Sequence, residues 1–122
     1  MEWQKKCWGQ VIHLFGQHVS VSLLQTQAGF CCSRHHHTHR WNSFRVIDGL
    51  LAIVEYRYNA DGSLTERMRR LLNPGQSYDI PPGIIHRFEV LRSGNVVEIY
   101  WTTDGTLVEE NDIIRFDEGG KL

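Results

Sequence analysis

Apolar and polar positions in this chain alternate over short stretches and never settle into a long amphipathic helical stripe. Val19, Val21 and Leu23 alternate with Ser20, Ser22 and Leu24, broadly the two-residue period of a half-buried strand. Further runs rich in β-branched and aromatic residues cover 11–15, 44–47, 50–58, 78–80, 84–91 and 96–101. Turn-forming groups separate them: Asp48-Gly49, Asn59-Ala60-Asp61-Gly62, Asn73-Pro74-Gly75, Pro81-Pro82-Gly83 and Arg92-Ser93-Gly94-Asn95. Residues 63–72 fit two readings, because Leu64, Met68 and Leu71 could form a helical stripe; hairpin punctuation on both sides favours a returning strand. Many short strands joined by Gly and Pro turns predict an all-β sandwich or barrel.

Size and charge narrow the picture. A chain of 122 residues with 41% hydrophobic side chains suits one compact domain, 1–122, around a single core. Thirteen basic and fourteen acidic side chains nearly cancel, so there is no basic field of the kind that nucleic acid or an anionic membrane surface requires. The amino terminus has no apolar leader, and nowhere do about eighteen apolar residues run together, so a soluble, cytoplasmic protein is expected. Three cysteines are an odd number, and the neighbours Cys31 and Cys32 are poorly placed to bridge each other. They read as buried thiols or as soft ligands.

The chemistry gathers around residues 29–49. His35, His36, His37 and His39, four of the seven histidines, fall within five positions. In an extended strand His35, His37 and His39 can project to one face while His36 points away. Neutral imidazole is the commonest protein ligand for first-row transition metals, so that face is a candidate metal site. A second element, from Gly75 to His86, places one more histidine just beyond a Pro-Gly turn, on the incoming edge of a strand.

The spacing Gly29, five residues, His35-x-His37, four residues, Asn42, six residues, Gly49 resembles the first signature of the cupins, with Asn42 where the usual residue is Glu. Gly75, five residues, Pro81-x-Gly83, two residues, His86 resembles their second, with Val90 in place of a common Asn. This resemblance implies an all-β, cupin-type double-stranded β-helix (jelly-roll) barrel. It also implies one divalent metal ion held inside by His35, His37 and His86, with Asn42 as a fourth contact and His39 as the alternative to His35 in a shifted register. Zn, Mn, Fe and Ni all accept imidazole and are not distinguished.

A narrower resemblance spans nearly the whole chain. Trp8-Gly9, the histidine run and the tail Asp112-Ile113-Ile114-Arg115-Phe116 are similar to the cupin domain of type II phosphomannose isomerases. It implies a sugar or sugar-phosphate substrate and aldose–ketose isomerisation. Glu98, an acid within the apolar run 96–100, is the candidate base, and Arg115 the candidate cation for a phosphate. Tyr58 and Glu89 are weaker candidates on an expected solvent face, and Arg40, Arg45 and Arg87 read as solvated. Two rival classes stay open: a three-histidine Fe(II) dioxygenase, and a non-catalytic sugar-binding module. The family resemblance further implies a homodimer, with the amino-terminal segment around Trp3 and Trp8 as the pairing region.

Overall fold

A computed structural model describes residues 1–122, all strand, turn and loop, with no helix. No helix is therefore long and apolar enough to cross a membrane. In chain order the strands are β1 (Trp3–Lys6), β2 (Gly9–Phe15), β3 (Val19–Thr26), β4 (Phe30–Cys31), β5 (His35–His36), β6 (Arg40–Val46), β7 (Leu50–Tyr58), β8 (Leu64–Leu72), β9 (Ser77–Ile80), β10 (Ile85–Arg92), β11 (Gly94–Thr102), β12 (Ile114–Arg115) and β13 (Gly120–Lys121). Two sheets face each other. One runs β1-β2-β3-β11-β6-β9; the other is centred on β10, which pairs β7 on one side and β4 and β5 on the other. Every pairing is antiparallel.

Residues 63–72 are a strand, as the flanking turns predict, because β8 returns antiparallel along β7. The period-2 pattern sends Leu24, Phe44, Val46, Leu51, Ile53, Phe88, Val90 and Val96 inward to one core, with Trp8 packed edge-on against Phe88 at 5.1 Å. That core fills one end of the barrel and leaves the histidines at the other. A smaller cluster of Ala52, Val54, Tyr56 and Ile85 lies on the outer face of β7 and β10.

Turn chemistry fixes the register of this scaffold. Gly49 has φ 88°, and a Cβ there would sit 2.7 Å from the Arg92 carbonyl oxygen, so only glycine closes the turn between β6 and β7 against β10. All three cysteines are free thiols; Cys31 and Cys32 are buried and Cys7 is exposed.

Candidate metal centre

The strand that carries the histidines is short, and its shortness selects the ligands. β5 ends at His36, and the chain then turns at Thr38 and His39 before β6 begins. Alternation therefore holds for His35 and His37, both buried and facing inward, while the His36 ring lies 5.9 Å from Phe116 on the other side. Past the turn, His39 stands on the surface, its ring nitrogen 2.7 Å from the Asp104 carboxylate. On β10, His86 lies directly opposite His35 in register and is almost fully buried. One nitrogen from each of His35, His37 and His86 lies within 4.8 Å of the others.

Backbone carbonyls favour the Nδ1–H tautomer in all three rings, at His37 over the longer approach of the Arg40 Nε–H to Nδ1 at 3.2 Å. The Nδ1–H of His35 donates to Ser33 O at 2.7 Å, that of His37 to Asp112 O at 2.7 Å, and that of His86 to Ile84 O at 2.8 Å. Each Nε2 is left with a lone pair. The Nε2 of His37 is buried with no partner at all. Asn42 donates from Nδ2 to Glu98 Oε2 at 3.2 Å, which turns its Oδ1 toward His86 Nε2 at 3.3 Å. Two acceptors thus face each other with no proton between them.

Protonation does not relieve this. Burial, the neighbouring His86 and His37 push the His35 imidazole well below its usual range. Burial and the Arg40 guanidinium lower His37 to about 3, and burial lowers His86 to about 4 despite the Ile84 carbonyl. Neutral imidazoles with converging lone pairs, each held from behind by a carbonyl, are the donor set that a divalent cation uses. The residues present fit a divalent metal ion: His35, His37 and His86 would hold it, with the Asn42 amide oxygen beside them.

Glu98 and Tyr100 on β11 face the same interior. Both Tyr100 OH, at 2.9 Å, and Asn42 Nδ2 donate to Glu98 Oε2, so Oε1 has no hydrogen-bond partner. Burial raises the Glu98 carboxyl above its usual range, against the pull of those two donors. The same burial, with the Glu98 charge, keeps Tyr100 protonated and able to donate. Glu98, Tyr100, His35, Arg40 and Arg115 line a cavity of about 370 Å³. Arg115 pairs opposite His35 in register, while the nearby carboxylates are engaged elsewhere: Asp117 pairs with Arg34 and Asp112 accepts backbone N–H groups.

Sequence reasoning missed Arg40, Asp112 and Glu55. Arg40 is not solvated: it is buried, its guanidinium 3.9 Å above the Tyr100 ring, with Nη1 donating to Glu109 O at 3.0 Å. Asp112 accepts from the backbone N–H of Thr38, His39 and Arg40 at 2.7, 2.9 and 3.0 Å, while its own carbonyl orients His37. Burial works to raise its carboxyl, but those three donors outweigh burial and hold it low. Glu55 lies opposite His86 in register, its carboxylate accepting from Tyr78 OH at 2.9 Å. Tyr58 is exposed. Glu89 does sit on the outer face, but beneath two arginines rather than in water.

No protein-family model matches the chain, and no curated protein sequence does. Solved structures do. Oxalate decarboxylase from Bacillus subtilis superposes with a TM-score of 0.73 at 11% identity over 94% of this chain and 30% of its own. KdgF from Halomonas sp. gives 0.67 at 16% identity, over 86% of this chain and 89% of its own. The capsular polysaccharide assembling protein CapF from Staphylococcus aureus gives 0.69 at 20% identity, over 95% and 34%. The fold is that of the cupins. The chain spans about a third of the decarboxylase and of CapF, and most of KdgF. Bacillus subtilis oxalate decarboxylase contains Mn(II) centres. In the cupin barrel described here, the imidazole trio sits where the two motif-bearing segments meet.

Proposed function

We propose that this cupin is a metal-dependent aldose–ketose isomerase acting on a sugar or sugar phosphate. One observation carries the reading: a carboxylate with one oxygen pinned and the other free, Glu98, opens onto the same cavity as His35, whose ring nitrogen converges with those of His37 and His86, and Asn42 bridges Glu98 to His86. A divalent ion bound by the histidines supplies Lewis acidity toward the carbonyl and hydroxyl oxygens of the substrate.

The protein's own groups do the rest. Glu98 Oε1 takes the proton from the carbon bearing the hydroxyl, the C–H electron pair passes into an enediolate, and the same oxygen returns the proton to the adjacent carbon. The hydroxyl proton moves from one oxygen to the other, so composition is unchanged. Tyr100 and Asn42 hold the carboxylate in place throughout, and burial, which raises its carboxyl, favours a group that must both accept and release a proton. Arg115 and Lys6 line the cavity and offer positive charge to a phosphate. CapF is a capsular polysaccharide assembling protein, which agrees with carbohydrate chemistry on this scaffold.

Metal-loaded protein incubated with mannose 6-phosphate and a panel of free aldoses in D2O tests the proposal by proton NMR. Deuterium should enter at the carbon next to the carbonyl, and Glu98→Gln should abolish exchange while metal content is unchanged. Full exchange in that variant, or none with any aldose, would overturn it. The all-neutral donor set supports a second reading, a three-histidine Fe(II) dioxygenase, for which stoichiometric oxygen uptake by the Fe(II)-loaded protein is the signature.

A further inference from the structure

Beyond the cavity in front of the histidines lies a second cleft of about 330 Å³, lined by Phe15, Gly16, Ser20 and Val108. His13, Arg40, Tyr100 and Glu110 line both spaces, so the two are lobes of one site separated by a shared waist. The walls differ in character. The inner lobe is densely charged, with Lys6, Arg40 and Arg115 beside Glu98, Glu110 and Glu118, whereas the outer lobe adds a phenyl ring, a serine hydroxyl and a valine to the Arg40 and Glu110 of the waist.

Phe15 is 60% exposed at the open end of β2, next to a β-bulge that slips the register between His13 and Phe15. Beside the Ser20 hydroxyl it gives the cleft one apolar aromatic wall that a ligand face can cover. The far rim carries a second departure from relaxed structure. Gln17 adopts φ 119°, a conformation costly for any residue with a Cβ, and its carbonyl accepts from Val108 N–H at 2.7 Å. That bond ties the β2–β3 hairpin tip to the carboxy-terminal tail and keeps the cleft walled on both sides.

We infer that the outer lobe is a subsite for a second, uncharged sugar ring, so that the substrate is a reducing disaccharide or longer saccharide. The reducing ring occupies the inner lobe before Glu98 and the histidines, and the next ring stacks on Phe15. An apolar sugar face suits the phenyl ring, while Ser20, His13 and Glu110 offer hydrogen bonds to the hydroxyl edge. The residues that belong to this lobe alone, Phe15, Gly16, Ser20 and Val108, carry no charge, so an uncharged ring suits it.

This inference rests on the carbohydrate reading above, and its test separates the two. Binding of mannose, glucose, mannobiose, cellobiose and maltose to the metal-loaded protein is measured by calorimetry and saturation-transfer NMR, for the native chain and for Phe15→Ala. The native protein should bind at least one disaccharide about tenfold more tightly than its reducing monosaccharide, with saturation transfer to both rings. Phe15→Ala should erase that gain and leave monosaccharide affinity and metal content unchanged. Equal affinity for one and two rings, or an equal loss for both in the variant, overturns the subsite and leaves the isomerase reading standing. Absence of binding by every sugar overturns the subsite, and the mannose 6-phosphate experiment above then decides the isomerase reading on its own.

Discussion

Two clusters of polar side chains are buried in this small barrel, and they are built to opposite rules. On the outer face, Glu89 is only 5% exposed, yet both its oxygens are taken: Arg69 donates to Oε1 at 2.6 Å, Arg87 to Oε2 at 2.7 Å, and Arg69 also reaches Glu66 at 2.8 Å. Burial tends to raise the Glu89 carboxyl, and the two guanidinium groups outweigh it and hold it ionised. Charge and donors balance within the cluster, so nothing is missing. On the inner face, His35, His37, His86 and Asn42 aim lone pairs at one another and leave His37 Nε2 orphaned. A folded chain tolerates unmatched buried acceptors when a ligand completes them, so the outer cluster reads as structure and the inner one as a site.

That contrast can be broken by substitutions. The largest effect is expected from His86→Ala, which removes the only ligand contributed by β10. Metal affinity should fall by more than a hundredfold while the circular dichroism stays that of the β-barrel, and stoichiometric metal in this variant would contradict the assignment. Glu89→Ala should do the reverse. It leaves Arg69 and Arg87 without their buried partner, and because both can rehydrate the cost should be about 2 kcal/mol of unfolding free energy in urea, with metal affinity unchanged.

Asp112→Ala probes the support behind the ligands. The turn at residues 38–40 loses its three-pronged anchor, so His37 is held less firmly and metal binding should weaken roughly tenfold. An unchanged dissociation constant would show that the His37–Asp112 carbonyl bond alone suffices.

The smallest effect is on the pH dependence of stability in metal-free protein. Below the ordinary imidazole value of 6.5 the unfolded chain binds protons that the folded one refuses, until about pH 4 at His86 and about 3 at His37. Stability therefore falls as pH drops through that window. His86→Ala should flatten the slope of melting temperature against pH between 6.5 and 4, by up to one proton; identical slopes would mean that His86 is not held neutral.

Much of this was readable in the chain, and the gaps have physical causes. Alternation placed most of the long strands, because each has one face in the core and one in water. Alternation alone offered His35, His37 and His39; the set His35, His37, His86 and Asn42 came from the resemblance to the two cupin signatures, with His39 as the alternative to His35. What spacing could not say was where alternation stops: β5 ends after two residues, and that end separates the surface residue His39 from the buried pair. Strand β1 escaped notice because its Gln4, Lys5 and Lys6 carry no apolar alternation and only an edge pairing with β2 holds it. Arg40 and Asp112 were invisible for another reason. Their roles depend on the tail crossing back over the histidine turn, a contact between positions some seventy residues apart that no local pattern encodes.

Anomalous scattering from a crystal of the chain loaded with a single divalent metal tests the central claim most directly. One peak per chain is expected, about 2.0–2.3 Å from Nε2 of His35, His37 and His86. A peak elsewhere, or rings that share no peak, would contradict it.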